Sequence, residues 1–124
     1  MRIQGQADNF EEAANWLVEH IEGRIGHVAV IAAQKGHIRG CIDVFKCAFD
    51  HNDRYDEVPR SSIYQREIIC GNTHVRFFAA GDIEETMRGR WFDWIVFFGS
   101  VPDEIQSRIL VHMKPFYQVI YVDA

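Results

Sequence analysis

The apolar positions fall into blocks whose period changes along the chain, and each change predicts a new element. Met1 to Gln4 suits a short strand. From Phe10 to Glu22 the residues Phe10, Ala13, Ala14, Leu17 and Ile21 recur at helical spacing, with Asp8 or Asn9 placed to cap the first turn. Gly23 and Gly26 close that helix. His27 to Ala33, HVAVIAA, abandons the spacing for a β-branched run, the pattern of a strand covered on both faces. A second helix is predicted over Ile38 to Phe49, with Ile38, Ile42, Phe45 and Phe49 on one stripe. Gly40 weakens it by about 1 kcal/mol relative to alanine.

Residues 50 to 62 are polar and predict a surface loop. Arg66 to Cys70 and Thr73 to Phe78 then read as a hairpin around Gly71-Asn72, a turn pair in which both residues tolerate positive φ. Phe92 to Phe98 is apolar throughout and predicts a central strand. Ser100 is placed to cap a third helix, with Pro102, Asp103 and Glu104 in its first turn and Ile105, Ile109, Leu110 and Met113 as its buried stripe. Tyr117 to Val122 is a last strand. Helices alternating with buried strands imply an α/β fold. The expected architecture is a three-layer αβα domain over residues 1–124, with a mostly parallel sheet and one inserted β-hairpin.

A chain of 124 residues holds one domain with a real core and not two. Its 13% aromatic content lets a small domain bury much area per residue. No apolar run is long enough to cross a bilayer, so no membrane partner is expected. The first residues lack the apolar segment of a secretion signal. A net charge of −5 does not favour nucleic acid as a partner of the whole surface. The three cysteines, Cys41, Cys47 and Cys70, are an odd number without framework spacing and are expected to be reduced thiols in a cytoplasm.

Candidate chemistry is sparse. Cys47/His51 and Cys70/His74 each form a Cys-x3-His pair, and both residue types ligate zinc. A two-residue hairpin turn, however, pairs Cys70 with Thr73 and sends His74 to the opposite face. No metal site is therefore expected. Neither Cys70 nor Cys41 has the flanking motif of a nucleophile. His20, His27, His37 and His112 stand at element ends, where polar caps are common. Arg76, Arg88, Arg90 and Trp91 form a possible interaction surface of basic and aromatic residues, of the kind that binds single strands. Phe92 and Trp94 are expected to pack beneath helices instead.

The VAVIAA strand (28 to 33), the ICGNTHVRF hairpin (69 to 77), Arg88-Gly89, Phe92-Asp93-Trp94-Ile95-Val96 and the YQVIYV strand follow one another in a particular order. In that order the chain resembles the ATPase domain of phage DNA-packaging terminases, and more broadly the helicase-like P-loop core. The resemblance implies a P-loop NTPase-like fold over the whole chain. Two departures cut against the activity. A phosphate loop needs G-x-x-x-x-G-K-[ST]. Counted from Gly5, those last positions hold Phe10, Glu11 and Glu12, an aromatic and two acids. The acids that would hold magnesium at the end of the 92–98 strand are replaced by Phe98 and Gly99. Asp103 and Glu104 lie beyond Pro102 in a helix start, where acids serve the dipole. The expectation is a phage-encoded, catalytically inactive protein with no cofactor that works by binding another protein in the host cytoplasm. The alternative is a nucleic-acid-binding accessory factor of DNA packaging or processing. A short sheet also leaves edges that an oligomer could cover.

Overall fold

Asn9 opens the first helix. Its side-chain oxygen accepts a hydrogen bond of 2.8 Å from the backbone N–H of Glu12, so one of the four orphan donors of the helix is satisfied locally. In the computed structural model, which describes residues 2–7, 9–21, 26–52, 60–62, 65–82, 91–111 and 113–122, this helix is α1 (Phe10–His20). Phe10, Ala13, Ala14, Leu17 and Val18 are its buried face. The second helix, α2 (Ile38–Asp50), follows a 3-10 turn at Lys35–His37 and buries Ile38, Cys41, Ile42, Phe45, Ala48 and Phe49. A short α3 (Asp103–Leu110) buries Ile109.

Seven strands complete the fold: β1 (Arg2–Ala7), β2 (Gly26–Ala32), β3 (Arg60–Ser62), β4 (Glu67–Cys70), β5 (Thr73–Ala79), β6 (Phe92–Phe98) and β7 (Met113–Val122). They form one sheet in the order β1-β7-β6-β2-β5-β4-β3. The first five of that order are mutually parallel, and β4 and β3 are antiparallel additions at one edge. β6 is flanked on both sides, as its apolar character predicts.

Strand alternation sends the side chains of β2 to two cores. Val28, Val30 and Ala32 pack with α1, α2, Val75, Phe77 and Val96 on one face. Ala29 and Ile31 pack with Phe78, Ile95, Phe97, Val119 and Ile109 of α3 on the other. The three-layer αβα expectation holds. Each large side chain moved fully out of water contributes about 1.5–3 kcal/mol, which is why β2 carries no polar residue beyond His27.

Several local readings are corrected. Ser100 does not cap α3: Pro102 occupies the cap position, no side chain caps the helix, and the Pro102 carbonyl accepts from the N–H groups of Ile105 and Gln106. In the hairpin only Gly71 takes positive φ, at +58°, so the turn has glycine at its first central position and needs nothing unusual of Asn72. Arg66 lies outside β4, at φ +50°. Gly26 begins β2 rather than ending α1, and Gly23 lies outside the described residues. The predicted loop of 50 to 62 ends in β3, whose ladder with β4 recruits Arg60–Ser62; residues 53–59 lie outside the described set. β1 runs on to Ala7 because it pairs along its length with β7, and β7 starts at Met113, which pairs with Phe92 before the register shifts to Trp94 and Gln118.

Candidate functional site

In open α/β sheets ligands bind beyond the carboxyl ends of the parallel strands. There β1 ends at Ala7 and α1 begins at Phe10, leaving only positions 8 and 9 between strand and helix. A phosphate loop requires several residues of free backbone before its lysine. Gly5, from which such a loop would be counted, lies inside β1 and pairs with Ile120. The helix start is also unsuited to phosphate. Asn9 occupies the Glu12 N–H, and Glu11 and Glu12 place negative charge in the turn where an anion would be held.

Beside this turn, aromatic rings meet where β6 ends. The Phe98 ring lies 5.0 Å from Phe10 and 5.5 Å from His37, both edge-on, and Phe10 lies 5.5 Å from Phe45. Edge-to-face pairs of this kind add about 0.5–1.5 kcal/mol beyond their burial. The backbone is tied down as well: Ala33 N–H donates to the Phe98 carbonyl and Gly99 N–H to the Val122 carbonyl, each at 2.9 Å. Gly99 has φ +89°, a conformation that favours glycine over aspartate or glutamate. Among the described residues His37 Nδ1 is buried with no hydrogen-bond partner. Asp103 and Glu104 are exposed, and Glu104 pairs with Arg108 at 3.3 Å on the same helix.

Polar contacts gather at the opposite, amino-terminal end of the strands. Asp93 Oδ2 accepts the backbone N–H of His27 at 3.0 Å, joining β6 to the start of β2. Across β4 and β5, His74 Nε2–H donates to Glu67 Oε2 at 2.8 Å, and Arg76 reaches the same oxygen at 3.4 Å. The His27 and His74 rings are 6.2 Å apart. Burial first, then the Arg76 and His27 charges, holds His74 below its ordinary pKa against the opposing pull of Glu67. His74 is thus neutral near pH 7.

Of the sequence-predicted surface residues, Arg76 and Trp91 are described. Arg76 is half-buried and engaged by Glu67. Trp91 is 59% exposed. Arg88 and Arg90 lie outside the described residues, as does His112. Cys70 is buried towards the helices with α2, and its register partner is Thr73, which leaves His74 on the other face as the two-residue turn requires. Cys47 is exposed, while His51 ends α2 by donating its N–H to the Cys47 carbonyl. No group of three metal-ligating side chains occurs among the described residues. Burial pushes the Cys41 thiol up to about 12, which removes it as a nucleophile at neutral pH.

Sequence reasoning missed two features. Asp93 was legible only as part of a family-like motif, whereas it holds the His27 N–H near the start of β2. The ring cluster had a readable signal, since Phe98 stands where the resemblance expects an acid that holds magnesium and Phe10 where it expects the second glycine of the phosphate loop.

No family model matches the sequence, and no curated protein matches it. Solved structures do. The large terminase of bacteriophage HK97 superposes with a TM-score of 0.73 at 11% identity, covering 97% of this chain and 29% of that one. The large terminase ATPase domain of Thermus phage P74-26 superposes with a TM-score of 0.60 at 12% identity, covering 98% of this chain and 58% of that domain chain. The chain therefore spans well under two thirds of either protein. No helix among the described residues is long and apolar enough to cross a membrane. The chain has the fold of the ATPase domain of phage large terminases.

Proposed function

We propose that the protein is a catalytically inactive, phage-encoded relative of the terminase ATPase domain that acts in the host cytoplasm by binding another protein. The observation that carries this reading is the end of the sheet where a nucleotide would sit. A two-position connection replaces the phosphate loop, and Phe10, Phe98 and His37 pack together where magnesium and its acids would lie. Carboxylates at the helix start would repel a triphosphate. Among the described residues this end of the sheet presents rings and carboxylates rather than a phosphate cradle, which supports the non-enzymatic reading.

The test is direct. The purified chain is expected to release no phosphate from ATP above background and to show no rise in melting temperature with ATP and magnesium. Hydrolysis that tracks the protein, and is lost when Phe98 is replaced, would sink the reading. A nucleic-acid accessory role draws on one observation, the exposure of Trp91. Arg76 lends it little, being engaged by Glu67. Salt-sensitive retention on DNA that disappears in Trp91→Ala would favour that alternative.

A further inference from the structure

The outward face of α1 carries a feature that the fold does not use. Glu12, Asn15, Trp16 and Glu19 follow the i, i+3, i+4, i+7 spacing that places residues side by side on a helix, and all four are exposed. Trp16 is 42% exposed, a large apolar surface to leave in water. It is nonetheless held in place. The His20 ring stacks on it at 3.9 Å and 20°, fixed there because His20 Nδ1–H donates to the Trp16 carbonyl at 2.7 Å. Trp94 of β6 braces it edge-on at 5.6 Å. Glu12 stands one turn before the indole and Glu19 one turn after it, and neither carboxylate has an ion-pair partner among the described residues.

From this arrangement we infer that the α1 face is a docking surface for an arginine-rich segment of a partner protein, with Trp16 as the stacking platform and Glu12 and Glu19 as the counter-charges. The inference rests on the protein-binding reading above and names its partner class. Charge complementarity selects the occupant. A guanidinium is planar, stacks on the indole face that His20 leaves open and donates to a carboxylate beside it, so one arginine satisfies both halves of the surface. Lysine matches the charge without the planar stack. Nucleic acid is disfavoured because its phosphates would meet Glu12 and Glu19 on the same side of the helix. A second copy is disfavoured by the net charge of −5 that it would bring. An indole already braced by His20 and Trp94 loses little freedom on binding, which favours affinity without rearrangement.

The probe is a peptide of alternating arginine and glycine, titrated into the full chain at low salt and read by tryptophan fluorescence. Saturable binding that weakens as salt rises is expected, with the lysine-glycine peptide binding several-fold more weakly. The double variant Glu12→Gln/Glu19→Gln should weaken binding by about tenfold and Trp16→Ala by at least as much, while Trp91→Ala leaves it unchanged. Should Trp16→Ala fail to fold, the glutamine pair still decides, since it touches no core residue. Absence of saturable binding, or equal binding by the glutamine pair, overturns the inference. So does tighter binding of oligothymidine than of the arginine peptide, or self-association that Trp16→Ala abolishes. ATP hydrolysis by the chain would overturn the non-enzymatic reading without moving peptide binding, so the two failures are distinguishable.

Discussion

At the carboxyl ends of the parallel strands Phe10, Phe98, His37 and Phe45 meet ring to ring; at the amino ends Asp93, Glu67, His74 and Arg76 meet through charge and hydrogen bonds. The usual distribution in an α/β enzyme is the reverse, with polar groups converging beyond the carboxyl ends. Here the polar cluster joins β6 to β2 and β4 to β5, so its contacts hold strands together. The aromatic cluster lies at the end of the sheet where such enzymes hold their ligands. Fold alone does not say which end works; the residues at each end do.

The largest expected effect tests whether the carboxyl end is core. Phe10→Ala should lower stability by about 3 kcal/mol in chemical denaturation, the cost of a large buried ring and the cavity it leaves. It should also gain no stabilisation from ATP and magnesium. A loss below about 1 kcal/mol, together with nucleotide binding, would mean that the rings cover a usable site rather than replace one.

At the other end Asp93→Ala should cost about 2 kcal/mol, because the His27 N–H loses its acceptor in a half-buried position. Asp93→Asn keeps an oxygen there and should cost less than half as much. Equal losses in the two variants would show that charge, rather than the hydrogen bond, holds β2 in place.

The sequence made the helices and central strands legible because their apolar periods are strong and long: the α1 and α2 stripes and the HVAVIAA and FDWIVFF runs all reappear. It was poorer where pairing with a distant strand decides. Nothing local in Arg60–Ser62 marks a strand; it becomes one by lying beside Glu67–Ile69. Met113 likewise opens β7 by pairing with Phe92 across a register shift, which no local run of sequence announces. The candidate surface was half legible. Trp91 is exposed as expected, but Arg76 is consumed by Glu67, which lies directly opposite it across the hairpin and is visible only through the hairpin register. Trp16 lies off the predicted α1 stripe, but how much of it stays in water depends on how α1 rolls against the sheet.

A pH series sharpens the polar end further. His74 has its folded pKa below the ordinary value of 6.5, so the native state favours the neutral ring. Its contribution to stability is present above about pH 6.5 and is lost as pH falls through the lower folded value, where the unfolded chain binds the extra proton. The wild-type denaturation midpoint should therefore fall below pH 6.5 more steeply than that of His74→Gln. Glu67→Gln should cost about 1 kcal/mol at pH 7 by removing the acceptor shared by His74 and Arg76. A His74 ring titrating above 6.5 by NMR would reverse the sign and show that Glu67 outweighs burial.

The smallest effect separates two helix starts of similar sequence character, one at each side of the aromatic cluster. Asn9 caps α1 by accepting the Glu12 N–H at 2.8 Å, whereas α3 has no side-chain cap and Pro102 stands at its cap position. Asn9→Ala should lower stability by about 1 kcal/mol, the usual cost of a lost side-chain cap. Ser100→Ala should stay within about 0.5 kcal/mol of wild type, as exposed substitutions without a partner do. Similar losses in both would return Ser100 to the capping role that the sequence suggested. They would also mean that the chain beyond β6 turns into α3 one step earlier than the Pro102 carbonyl contacts indicate.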